Sequence, residues 1–74
     1  MTRYKNLGGD SGVSSYEIAP ESITVQFSTG AVYVYRYNNA GRDNIEKMKV
    51  LAESGQGLNS FIILHVKNDY ESKR

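Results

Sequence analysis

Val32-Tyr33-Val34-Tyr35-Arg36-Tyr37 alternates β-branched and aromatic residues with a period of two. That period belongs to a strand, so the three phenol rings leave one face of it and Val32, Val34 and Arg36 the other. Which face meets the core depends on the loop before it. A two-residue loop, Thr29-Gly30, pairs Phe27 with Val32 and Val25 with Val34. The valines then enter the core, and Tyr33, Tyr35 and Tyr37 form an open aromatic platform. A three-residue loop, Ser28-Thr29-Gly30, instead pairs Val25 with Tyr33 and Ile23 with Tyr35, turning the rings toward the core. Glycine at the third position suits a type I turn closed by a left-handed residue, and threonine fits poorly where a type I′ turn requires positive φ.

Upstream, Tyr16 and Ile18 alternate with Ser15 and Glu17, and Ile23, Val25 and Phe27 with Thr24, Gln26 and Ser28. Two half-buried strands follow from this, joined by the loop 19–22, with Ile18 opposite Ile23 and Tyr16 opposite Val25. Downstream, Asn39 is a competent N-cap, and Ile45, Met48, Leu51 and Ala52 recur at helical spacing over 41–55. Asp43 with Lys47, Glu46 with Lys49, and Lys49 with Glu53 make its other side a self-neutralised wet face. Gly55 and Gly57 end the helix. Leu58, Phe61, Ile62, His65 and Val66 share one helical stripe, which predicts a short C-terminal helix. A buried strand from Phe61 reads the same apolar run in another way.

The expected fold is therefore α+β: a three-stranded antiparallel β-meander packed by one amphipathic helix and followed by a short C-terminal helix. Residues 1–12, with three glycines and few apolar groups, read as a flexible N-terminal arm, 13–67 as the domain, and 68–74 as a fraying polar tail.

Size and charge bound the function. Seventy-four residues make one domain at most, with no cysteine for a disulfide or thiolate metal site. Nine basic and eight acidic residues leave a net charge of +1, so nucleic-acid binding requires local clustering of cations. No apolar run approaches the roughly 20 residues of a membrane span, and the start is not an apolar signal core. A cytoplasmic location and no membrane partner are expected.

No enzyme is expected. His65 is the sole histidine and lies in an apolar run, and the carboxylates are scattered. Gly8-Gly9-Asp10-Ser11-Gly12 lacks the Lys and Ser/Thr that complete a phosphate-binding P-loop. Gly55-Gln56-Gly57-Leu58-Asn59 offers successive amides suited to an anion nest, or a plain helix–turn–helix connection. No cofactor, metal or small-molecule substrate is called for.

The ordered series Phe27…Gly30…Tyr33-Val34-Tyr35, then an amphipathic helix, then Ser54-Gly55-Gln56-Gly57-Leu58-Asn59-Ser60-Phe61-Ile62 resembles the KTSC domain. That family is named from a C-terminal domain of some lysyl-tRNA synthetases and also occurs as small free-standing bacterial proteins. Tyr-x-Tyr falls on Tyr33 and Tyr35, Ser-x-Gly and Leu-Asn on the 54–59 stretch. The chain departs in having Asn38-Asn39-Ala40 where the family often has Val-Pro. The resemblance implies association with RNA, by analogy with the neighbouring tRNA-charging enzyme.

The expectation is a small non-catalytic binding domain taking RNA. Tyr33, Tyr35 and Tyr37 would stack bases while Arg36, Arg42, Lys47 and Lys49 meet phosphate and Asn59 contacts a base or phosphate. The alternative is a protein-interaction or homo-oligomerisation module, using Val32 and Val34 and an exposed edge strand.

Overall fold

Ile18 lies opposite Ile23 and Tyr16 opposite Val25 in the computed structural model, as the alternation over these strands requires. Strands β2 (Val13–Ala19) and β3 (Ser22–Phe27) meet through the two-residue turn Pro20-Glu21, because Ala19 and Ser22 still pair. A bulge between Val13 and Ser15 takes Ser14 out of register, so Val13 and Tyr16 both point inward, 3% and 9% exposed.

The next turn decides the face of β4 (Val32–Arg36). The Phe27 N–H donates to the Ala31 carbonyl at 2.8 Å, and Gly30, at φ 96°, donates to the Phe27 carbonyl at 2.9 Å. The loop thus spans Ser28-Thr29-Gly30, Val25 pairs with Tyr33, and Ile23 pairs with Tyr35. The rings point to the helical side, and the platform arrangement is not formed.

The sheet has five strands, not three, in the order β1-β2-β3-β4-β5, all neighbours antiparallel. The two additions are β1 (Thr2–Arg3) and β5 (Ser72–Lys73), from segments expected to be arm and tail. The arm expectation fails because Tyr4 supplies a buried ring, 3% exposed, with its hydroxyl accepting the Leu58 N–H at 3.3 Å. The Leu7 N–H then donates to the Gly55 carbonyl at 2.7 Å. The tail expectation fails through Tyr70, whose ring packs on the core. The structure describes residues 1–9 and 11–73; Asp10 in the glycine-rich stretch and Arg74 in the tail lie outside them.

Helices cover one side of the sheet. A single turn, α1 (Tyr37–Ala40), takes in Asn39, so Gly41 and not Asn39 precedes the main helix α2 (Arg42–Ser54). Ile45, Met48 and Ala52 are buried and Leu51 is half-buried, matching the expected stripe. Each large side chain sealed here is worth about 1.5–3 kcal/mol. Among the described residues, only Glu46–Lys49 of the three expected helix pairs closes, at 2.9 Å.

The last helix begins as α3 (Leu58–Phe61) and widens into a π turn, Ile62–Val66. Leu58, Ile62 and Val66 are buried, while His65 is exposed and tilted on Phe61 at 4.5 Å between ring centroids. A π turn has more residues per turn than an α-helix, so Ile62 and Val66 keep the core contact while His65 leaves the predicted stripe. No described helix is long and apolar enough to cross a membrane.

Candidate functional site

The inward register of β4 opens an aromatic cleft of about 330 Å³ between the sheet and the π turn. Phe27 and Tyr33 arrive from neighbouring strands and meet edge-on, at 5.4 Å and 84°. Tyr33 and Tyr35 stack with an interplanar angle of 12°, and Tyr70 stands perpendicular to both. Ile62 and Ile63 form the opposite wall, and Asn59, Lys67 and Asn68 supply its polar margin. Among the described residues, Lys67 is the one charged group lining it and no carboxylate does. The Lys73 ammonium lies 5.4 Å from the centre of the Tyr33 ring.

The ring at the cleft floor is buried. Tyr35 is 1% exposed, and burial, reinforced by the Tyr33 and Tyr70 phenols, pushes its hydroxyl up to about 12. A neutral phenol at the base of an apolar hollow favours an uncharged ring or aliphatic group beside it.

The predicted site residues do not form one surface. Tyr33, Tyr35 and Asn59 line the cleft. Tyr37, Arg42 and Lys49 gather around the β2–β3 turn. There the Tyr37 hydroxyl donates to Glu46 Oε2 at 2.6 Å, with the Pro20 carbonyl 3.1 Å away. Lys49 Nζ donates to Glu46 Oε2 at 2.9 Å and to the Pro20 carbonyl at 3.0 Å, and the Lys49 and Arg42 cations lie 5.7 and 6.0 Å from the Tyr37 ring. This clasp fixes the turn to α2 and consumes Lys49. The hydrogen bond from Tyr37, then that from Lys49, holds the Glu46 carboxyl below the usual range, while the bond to Glu46 raises the Tyr37 hydroxyl.

Arg36 lies on the sheet's other face and pairs with Glu71 at 3.5 Å. Lys47 is exposed on α2. The aromatic strand and its supposed phosphate contacts are therefore separated. The valine patch is also corrected: Val34 is 8% exposed, and β5 pairs along the border of β4, so β4 is not the sheet's edge.

Asn59 also borders a polar depression of about 210 Å³, where Gly8 and Ser11 face Gln56, Gly57 and Ser60. The two glycine-rich stretches of the sequence meet there. Tyr70, Ile63 and Lys67 belong to the cleft but escaped sequence reasoning. A lone aromatic in a polar tail was the available signal for Tyr70. The chain matches no family model, no curated protein and no solved structure.

Proposed function

We propose that this chain is a small non-catalytic binding domain, KTSC-like, that seats one apolar side chain of a protein partner in the aromatic cleft. The observation that carries the reading is convergence. Phe27, Tyr33, Tyr35, Asn59 and Ile62, all within the series that resembles the KTSC domain, line the same hollow although they come from β3, β4 and the last helix. A cleft of this volume lies near the lower end of ligand pockets, with room for one large side chain.

The rim favours protein. Ile63 and Leu64 stand 55% and 75% exposed on the turn that borders the cleft. Adjacent large apolar groups in water beside an apolar hollow are the pattern of an interaction surface. Stacking several bases in a row requires aromatic faces open to water, and Tyr35 offers none. RNA survives as a second reading in a narrower form, one unstacked base in the cleft with its phosphate at Lys67 or Lys73, because the nearby charge is cationic.

Titration with p-cresol and indole, followed residue by residue by NMR, tests the seat. Shifts concentrated at Tyr33, Asn59, Ile63 and Lys67, and lost in Ile63→Asp, are expected. Absence of any shift there up to the solubility of both probes overturns the reading. Oligouridine binding that falls with salt and with Lys67→Gln transfers the seat to RNA.

A further inference from the structure

The C-terminal segment occupies the border of β4 as a bound peptide would. The Tyr70 ring is edge-on to Tyr33 at 4.8 Å and to Tyr35 at 6.5 Å. The Glu71 N–H donates to the Val34 carbonyl at 2.6 Å, and its carboxylate faces Arg36 Nε at 3.5 Å. Ser72 and Lys73 then pair with Val34 and Tyr33. One ring, one carboxylate and a short backbone ladder hold the segment.

That hold is slight. Among the described residues, β5 pairs with only Tyr33 and Val34 of β4. Arg36 and Glu71 are each 46% exposed, and an ion pair so wetted contributes under about 1 kcal/mol. The seat beneath is better built than the segment in it, since Tyr33 and Tyr35 are fixed by the β3–β4 register and stacked on each other.

We infer that the β4 border is a strand-addition site whose partner is an extended peptide carrying an aromatic residue followed directly by Asp or Glu. The peptide displaces residues 69–73, places its ring against Tyr33 and Tyr35, sets its carboxylate on Arg36, and pairs antiparallel with β4. Main-chain bonds supply part of the affinity in such additions and side-chain seats supply the selectivity. The partner's chemistry is read from the present occupant. An RNA strand has no amide ladder to offer, so this surface belongs to protein. The inference rests on the proposed cleft, in which the peptide's ring replaces the Tyr70 wall, and adds the ladder and the carboxylate.

The tethered tail competes at an effective concentration on the order of mM, so it must be loosened to expose the site. Glu71→Pro removes the N–H donated to Val34 and changes an exposed residue; Glu71→Lys, which turns the ion pair into repulsion, is the second variant. The probe is the capped hexapeptide Asn-Asp-Tyr-Glu-Ser-Lys, the sequence of residues 68–73, with a fluorophore at its amino end. Binding at least about tenfold tighter to either variant than to the wild type is expected. It should vanish when the peptide's Tyr becomes Ala, and weaken when its Glu becomes Gln unless Arg36→Gln is already present. Equal binding of the Ala peptide, or no binding by either folded variant, overturns the inference. A concentration-dependent dimer of the variants without peptide binding also overturns it, in favour of tail exchange between copies. If p-cresol binds and the hexapeptide does not, strand addition fails and the cleft reading stands.

Discussion

The ring of Tyr70 meets the ring of Tyr33 edge-on at 4.8 Å and 88°, which makes the polar C-terminal segment a wall of the aromatic core. Edge-to-face pairs contribute about 0.5–1.5 kcal/mol beyond area burial. Tyr70→Ala is therefore expected to destabilise the domain by roughly 1–3 kcal/mol, and Tyr70→Phe by much less. Urea unfolding of the three proteins checks this. Indistinguishable midpoints for Tyr70→Ala and wild type would detach the tail from the fold.

Alkaline pH acts through Tyr35. Its hydroxyl ionises near 10 in an unfolded chain and at about 12 in the folded domain, because burial opposes the phenolate. The folded value is the higher, so this contribution is intact below pH 10 and is lost as pH rises from 10 through 12. Two units amount to about 3 kcal/mol at most. Tyr35→Phe should flatten the decline, measured as unfolding free energy across that window. Superimposable alkaline profiles for the two proteins would contradict the burial of this phenol.

Acid acts through the clasp at the β2–β3 turn. The Tyr37 hydroxyl and then Lys49 stabilise the Glu46 carboxylate, so its folded pKa lies below the unfolded value. Its contribution is present above the ordinary carboxylate pKa and fades as pH falls through the depressed one. Glu46→Gln should remove this part of the acid response and lower neutral-pH stability only slightly, since the side chain is half exposed and its pairs are wetted. NMR titration of Glu46 with and without Tyr37→Phe gives the direct reading. An unchanged Glu46 titration in Tyr37→Phe would remove the phenol from the clasp.

Gly55 and Gly57 both sit at positive φ, 82° and 84°, yet their surroundings differ. A Cβ at Gly55 would come within 2.6 Å of Lys5 Cβ, where the chain start crosses the end of α2. At Gly57 the nearest atom, Leu51 Cδ2, would be at an ordinary 3.5 Å. Gly57→Ala should cost about 1–2 kcal/mol from backbone conformation alone, and Gly55→Ala distinctly more. Thermal unfolding orders the two, and equal losses would mean that the Lys5 crossing gives way freely.

The central hairpins were legible because alternation over Ile23–Phe27 admits one inward set, and Gly30 closes the three-residue turn that seats Tyr35; Ile18, read as sharing the buried face with Tyr16, is instead 37% exposed near the end of its strand. The Ile45–Met48–Ala52 stripe was legible for the same reason at helical period. Strands of two residues carry no period, so β1 and β5 were invisible, and Tyr4 was masked by Arg3 and Lys5 on either side. His65 was misplaced because an α-helical projection cannot anticipate a π turn. The cleft itself joins residues from both halves of the chain, and nothing local marks such a meeting.

Strand order in the sheet follows chain order, so no strand has to be threaded between two others. The central hairpins can form from nearby residues and present a surface on which α2 condenses, which favours rapid folding. The bond from Leu58 to the Tyr4 hydroxyl instead closes a loop across 54 positions. Closing that loop costs entropy before any reward arrives, so the first segment locks down after the meander exists. Pulse-labelled amides of residues 4 and 7 should then acquire protection later than those of β3.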